Sequence, residues 1–329
     1  MDTRHVPYDT RHAAAAGTLP MKGPVPTKGP VPTKGPVVAV IGAGAIGLAA
    51  AAALDAAGRR VMLCLRRVPD ALGWAVDGPE HPITADLLLP DQRPAAPVAV
   101  AMVATRAVDD AGTIRRLREV AAPDALVVIL RNGLDHVPAL QAAGLPPTMR
   151  VLPAVLLLAA RRVAAGRVVI EGRHPEILLP EGPDGRRVAD LFTGGPIHVT
   201  TSRDWITIAW EKLLVNAAVG GVATLTGLSY AGCGGPEARQ ACIALIDEAA
   251  AVARAEGAAI EPAPGNRLMA QALSRAGDHL PSIARDRQAG RPTEWAMRNG
   301  VITRLAARHD IAVPLNALLV RLLRCGEPS

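Results

Sequence analysis

An α/β fold with a parallel sheet, followed by an all-helical second part, is the class that the order of apolar runs predicts for these 329 residues. Short runs rich in Val and Ile alternate with helical stretches from Val37 to about residue 200, the pattern of strands joined by crossover helices. After Trp205 the strand-like runs stop and helical spacing with Gly and Pro punctuation takes over. The length suits about two domains of ordinary size, and half the residues are apolar, enough for sizeable cores. This divides the chain into a tail over 1–36, an α/β domain over 37–200 and a helical domain over 201–329.

Each element has its own justification. Residues 22–36 read KGPVPTKGPVPTKGP, a six-residue repeat whose prolines block helix and whose glycines add freedom, so an extended, solvated tail is expected. VVAVI at 37–41 is the first strand, followed by a helix from about Ala45; VMLCL at 61–65 and VAVAMVA at 98–104 come next. A helix from about Asp109 leads to LVVIL at 126–130. Further strands are expected at Val151–Leu158, Arg167–Glu171, Glu176–Leu179 and Ile197–Thr201. Helices are expected over Trp205–Val219, Glu237–Ala255, Asn266–Ser274, Thr293–Arg308 and Pro314–Leu323.

Composition excludes several classes of function. The tail takes five of the 36 basic residues and two of the 30 acidic ones, which leaves the body nearly balanced at 31 against 28. Only seven residues are aromatic, too few for base-stacking platforms, so a nucleic-acid partner is not expected. Cys64, Cys233, Cys242 and Cys325 show neither C-x-x-C pairing nor His partners at ligand spacing, which implies free thiols in a reducing compartment and no zinc site. No uninterrupted apolar run reaches a membrane span's length and the start lacks a signal peptide's core, so the expectation is a cytoplasmic protein with no membrane partner. The apolar helical faces leave a homodimer open.

In VVAVIGAGAIGLAAAAAL, Gly42, Gly44 and Gly47 stand directly after a strand and open a helix. In that context G-x-G-x-x-G is a dinucleotide signature: the first glycine makes the turn, the second admits a pyrophosphate and the third lets helix meet strand. The fold class is therefore Rossmann-type, and the turn residues Gly42, Gly44, Ala45, Ile46 and Gly47 are candidate cofactor contacts. An NAD enzyme usually ends its second strand with an acidic residue for the ribose hydroxyl. Here Arg66 and Arg67 stand instead, which suits a 2′-phosphate, and Arg66 is the candidate that selects NADP(H).

WEKLLVNAAVGG at 210–221 holds Lys212, the one lysine of the body among 30 arginines. Arginine stays protonated, whereas a desolvated lysine can give up or take a proton, so this lysine invites a chemical role. Lys212, Asn216 and Gly220 are four apart on one helix face. Ser282 and Asp286 are again four apart, and Glu294 follows at a helix start after Pro292. His136, beside Asp135, is read as a solvated loop histidine, and Trp210 and Trp295 as core packing.

Five ordered motifs, IGAGAIG, ILRNG, WEKLLVNAAV, PSIARDRQAGRPTEWAMRNG and IAVP, give the chain from Val37 onward a resemblance to the ketopantoate reductases, NADPH-dependent enzymes that reduce a 2-oxo acid to a 2-hydroxy acid. The resemblance implies Lys212 as general acid, Glu294 as substrate-binding carboxylate, Ser282 at the substrate carboxylate, Asn216 hydrogen-bonded to substrate and Asn132 beside the nicotinamide. It also implies a lysine near the cofactor after VAMVA, where this chain has Thr105 and then Arg106 as a substitute cation. A second Asn is expected on the Lys212 helix, where Gly220 stands; the exchange should remove a substrate hydrogen bond and leave more room. Two other readings remain at this point, a reductase of another carbonyl or an imine, and a non-catalytic NADP(H)-binding regulator.

Overall fold

The computed structural model describes residues 36–76, 78–274 and 277–327, and the repetitive tail up to residue 35 lies outside them. The first half contains β1 (Val37–Ile41), α1 (Ala45–Ala56), β2 (Arg60–Cys64), β3 (Gly73–Ala75), β4 (His81–Pro82), β5 (Asp86–Leu88), β6 (Val98–Val103), α2 (Asp110–Val120), β7 (Ala121–Ile129) and α3 (His136–Ala142). It continues with β8 (Arg150–Pro153), β9 (Val155–Ala164), β10 (Arg167–Pro180), α4 (Pro183–Leu191) and β11 (His198–Ser202). The helices α5 (Trp205–Thr226), α6 (Pro236–Ala255), α7 (Gly265–Leu273), α8 (Ser282–Gln288), α9 (Trp295–Arg308) and α10 (Pro314–Cys325) follow.

Six strands in the order β5-β2-β1-β6-β7-β8 form a fully parallel sheet. The order reverses at β1, which pairs with both β2 and β6, and that reversal opens a crevice at the strand C-termini, directly at the Gly42–Gly47 turn. One face packs on α2 and α3 through Ile114, Leu117 and Leu140. The other packs on α1, whose Leu48–Leu54 stretch is buried all round.

A single parallel sheet does not account for the whole region. β11, β10, β3 and β4, with β9 paired to β10, make a second, mixed sheet. It lies over the opposite side of α1, so Val168, Ile170, Ile177 and Leu179 share one core with Val38, Val40 and the α1 alanines. A helix of alanines is thin enough to sit between two sheets. The two strands expected at 167–171 and 176–179 are one strand, β10, interrupted by a register shift between Glu171 and Glu176 where Gly172 takes φ +99°. The short helices α3, α4 and α8 are additions to the sequence reading.

In the second half, α5 is central. Its 22 residues are long and apolar enough to cross a membrane by length and composition, yet Trp210, Leu213, Leu214, Ala217 and Val219 are buried against α6, α9 and α10. Trp210 fills that core as the sequence suggested.

The α1–β1 contact sets the tightest local constraint. A Cβ on Gly47 would lie 1.8 Å from the Gly42 carbonyl oxygen. Gly47→Ala should therefore push α1 off the sheet and cost about 3 kcal/mol of stability, read as a lower denaturation midpoint; an unchanged midpoint would contradict this packing.

Candidate active site

The glycine turn suits a pyrophosphate. Gly42 takes φ +108°, and a Cβ there would touch Ala104 and Thr105 backbone atoms at 3.0 Å. A Cβ on Gly44 would meet nothing within 4 Å, so this residue borders open space. The α1 N-terminus has no side-chain cap and no acidic residue in its first turn, which leaves its amides directed at that space. Ala45 and Ile46 form the first turn of the same helix. Arg66 is exposed just beyond β2, on the same C-terminal edge of the sheet.

Between β6 and α2 the backbone is held by an arginine that the sequence reading passed over. Arg131, with only 2% of its side chain exposed, donates to the Thr105 carbonyl at 2.7 Å, to Thr105 Oγ1 at 2.7 Å and to Asp110 Oδ1 at 2.6 Å. Thr105 Oγ1 also meets Thr113 Oγ1 at 2.7 Å. Arg106 spans to the helical half, where it donates to Asp286 Oδ2 at 3.0 Å and to the Pro292 carbonyl. Ala107 N donates to Glu294 Oε1 at 3.2 Å across the same gap.

The next residues join the halves more closely. Gly133 takes φ +102°, and a Cβ there would fall 2.1 Å from the Met297 carbonyl oxygen. Leu134 N donates to that carbonyl at 3.3 Å, so the end of β7 is docked on the first turn of α9. This docking brings Asn132 to Lys212: Nζ donates to Asn132 Oδ1 at 2.9 Å and to the Leu156 carbonyl on β9. Burial pushes the Lys212 amine down to about 7, and the neighbouring Arg298 charge adds to the effect. A cavity of about 180 Å³ opens here, lined among others by Asn132, His136, Trp205, Ala209, Lys212 and Asn216.

His136 is not a solvated loop residue. It is 5% exposed at the start of α3, and its Nε2 lies 3.1 Å from the Asn132 carbonyl. Burial, with Arg131 adding to it, pushes its pKa down to about 4, so the ring is neutral at pH 7.

Ser282 opens α8 and Glu294 immediately precedes α9. Arg298, one turn into α9, links them: its Nη2 donates to Ser282 Oγ at 3.0 Å and lies 3.9 Å from Glu294 Oε2. Gly220 does not leave more room, as was expected of it. A Cβ there would sit 3.0 Å from Ile283 Cγ2, because the missing side chain lets α8 close on α5. The structure thus gathers Asn132, Lys212 and Asn216 around one cavity, and Ser282 and Glu294 around Arg298.

The geometry is that of a two-lobed, NAD(P)-dependent oxidoreductase, with a glycine-rich turn at the start of α1 on one lobe and a buried lysine of lowered pKa on the other. Residues 38–184 match the family described as ketopantoate reductase PanE/ApbA, and 204–327 match its C-terminal domain. A 2-dehydropantoate 2-reductase from Caulobacter vibrioides is 38% identical over 292 residues, covering 88% of this chain and 98% of that one. One from Mycobacterium tuberculosis is 32% identical over 299 residues, covering 88% and 97%. The crystal structure of a PanE/ApbA family ketopantoate reductase from Ralstonia eutropha superposes with a TM-score of 0.77 at 25% identity, covering 88% and 98%. The chain belongs to the ketopantoate reductase family.

Arg131 gives this site its first test. Arg131→Met should leave Asp110 unpaired and free the 105–113 segment, at a cost of about 3 kcal/mol. Denaturant unfolding would measure it, and a loss below roughly 1 kcal/mol would mean that this pair carries little of the loop's order.

Proposed function

We propose that the protein reduces a 2-oxo acid to the corresponding 2-hydroxy acid with NADPH, and that 2-dehydropantoate is its principal substrate. The observation that carries this is the Lys212 amine, poised near neutrality at the junction of the two lobes. The family relationship over both domains supports the same reading, and so do the two curated relatives named 2-dehydropantoate 2-reductase.

Bound NADPH would supply the hydride. Gly42, Gly44, Ala45, Ile46 and Gly47 would hold its pyrophosphate against the α1 N-terminus, and Arg66 would pair with the 2′-phosphate. Thr105 and Arg106, which follow β6, would form the adjoining rim, and Asn132 would reach the nicotinamide end. Lys212 then donates from Nζ to the substrate's carbonyl oxygen. Charge on that oxygen grows as the carbonyl is reduced, so an ammonium there both stabilises the charge and supplies the proton. Arginine would do only the first. Glu294 and Ser282 hold the substrate from α9 and α8, and Asn216, one turn after Lys212, donates to it from the cavity wall. Asn132 also keeps the ammonium aimed, through its 2.9 Å contact.

The regulator reading is weaker, because a sensor has no use for a lysine whose proton is so easily released.

Lys212→Ala should abolish turnover of 2-dehydropantoate while NADPH still binds, as measured by NADPH absorbance and fluorescence. In the unaltered protein only protonated Lys212 can act as the acid, so kcat/KM for reduction should fall as pH rises through about 7. The oxidation of pantoate should show the opposite limb. Undiminished turnover by the alanine variant, or a reduction profile flat to pH 9, would remove the lysine from the mechanism.

Arg66→Ala should raise KM for NADPH by roughly 10-fold or more, the scale of a lost charge-assisted contact, and leave KM for NADH little changed. Equal effects on both cofactors would count against Arg66 as the selector.

A further inference from the structure

Arg298 enters neither the glycine turn nor the set of residues that the motifs assign, yet it is the most buried cation on α9, with 6% of its side chain exposed. Burying a guanidinium is costly unless its charge and its donors are met. Here they are met only in part among the described residues. Nη2 donates to Ser282 Oγ at 3.0 Å. The nearest carboxylate oxygen, Glu294 Oε2, is 3.9 Å away, beyond hydrogen-bond length, and Nε is buried with no partner. The other acid nearby does not close the gap. Asp286 already accepts from Arg106 at 3.0 Å and from Arg291 at 2.8 Å. Glu294 in turn accepts from Ala107 N through its other oxygen.

The hydroxyl contact is informative as well. Because Ser282 Oγ accepts from Arg298, its own proton is free to point elsewhere, and the two side chains form one donor group. Ser282, Glu294 and Lys212 are the residues assigned to the substrate above, and Arg298 is close enough to Lys212 to help depress its pKa. Two cations held near each other with too little carboxylate between them make a place for an anion.

We propose that Arg298 is the principal binding cation for the substrate's carboxylate, donating with Ser282 to its two oxygens while Lys212 serves the adjacent carbonyl. The planar fork matches a carboxylate in a way that the missing Asn at position 220 could not. This assignment rests on the 2-oxo acid reading given above. It makes Arg298 a determinant of specificity, selecting acids over esters, amides and simple ketones.

The test uses the full chain with Arg298→Met, which keeps the bulk of the side chain, and Arg298→Lys, which keeps the charge. In Arg298→Met, KM for 2-dehydropantoate should rise roughly 10- to 100-fold, the range of a lost hydrogen-bonded charge contact. NADPH binding should stay within about twofold, and kcat should fall much less than kcat/KM. Binding of oxamate in the presence of NADP+, measured by calorimetry, should weaken by a similar factor, and Arg298→Lys should recover part of both losses. An unchanged KM and oxamate affinity in Arg298→Met, with NADPH still bound, would overturn the assignment. So would an equal loss of kcat/KM for 2-dehydropantoate and for its methyl ester, since a merely structural arginine would affect both alike. If the unaltered protein bound oxamate in an Arg298-dependent way but reduced no 2-oxo acid, the reductase reading would fail and the carboxylate site would stand. An unaltered protein that bound NADP+ without oxamate, yet reduced 2-dehydropantoate, would overturn the carboxylate site and keep the reductase.

Discussion

The ammonium of Lys212 is held by three elements at once: its own helix α5, the Asn132 side chain after β7 and the Leu156 carbonyl on β9. A cation removed from water has to find acceptors, and both acceptors here come from the dinucleotide-binding half. The lysine therefore needs the lobes to stay close, and several other features follow from that need. Gly133 has no side chain because the end of β7 runs against the Met297 carbonyl. His136 is buried and neutral beneath the same turn, so it does not add a competing positive charge at pH 7. Arg106 and Ala107 close the opposite rim onto Asp286, Pro292 and Glu294.

The absence of a Cβ does similar work at three layers of the molecule. At Gly47 it lets α1 lie on β1, and at Gly133 it lets α9 lie against the β7 turn. At Gly220 it lets α8 lie against α5, which draws Ser282 toward the lysine helix. The last of these changes the meaning of a departure from the family pattern. An Asn at 220 would have to share its space with Ile283, so the glycine exchanges a polar contact for closer helix packing. The polar group that reaches Ser282 comes instead from α9, where Arg298 donates to it.

Much of this was legible in the sequence because the signals were periodic or compositionally rare. VVAVI followed by three spaced glycines can hardly be anything but a strand, a turn and a buried helix start, and it is β1, the turn and α1. Lys212 stood out because lysine is scarce in the body. The same composition hid Arg298 and Arg131, since 30 arginines give no reason to choose two. Only burial separates them from the solvated majority. His136 is hard to read for the opposite reason: it stands alone in a polar stretch, and the cavity it lines is completed by residues remote in sequence, such as Trp205, Trp210 and Leu305. Helices of seven to nine residues, such as α3, α4 and α8, span about two turns and leave too little periodicity to read. The second sheet was invisible because strand runs do not say with whom they pair, and the β10 bulge split one strand into two apparent ones.

The charges around the cleft bear on the kind of molecule it takes. Asp286 is shared by Arg106 and Arg291, so both of its oxygens are engaged. Glu294 is the acid nearest Arg298, and one of its oxygens is committed to the Ala107 amide. Arg298 makes no carboxylate hydrogen bond of its own, and its charge lies close enough to Lys212 to act on it, so positive charge is left in a place where it is worth more than at the surface. An iminium or other cationic substrate would add to that excess, whereas a carboxylate would cancel it. Cancelling it would also relieve the repulsion that Arg298 exerts on Lys212, so the arriving acid would raise the pKa of the group that protonates it. Substrate binding and readiness to donate the proton would then be two results of the same charge.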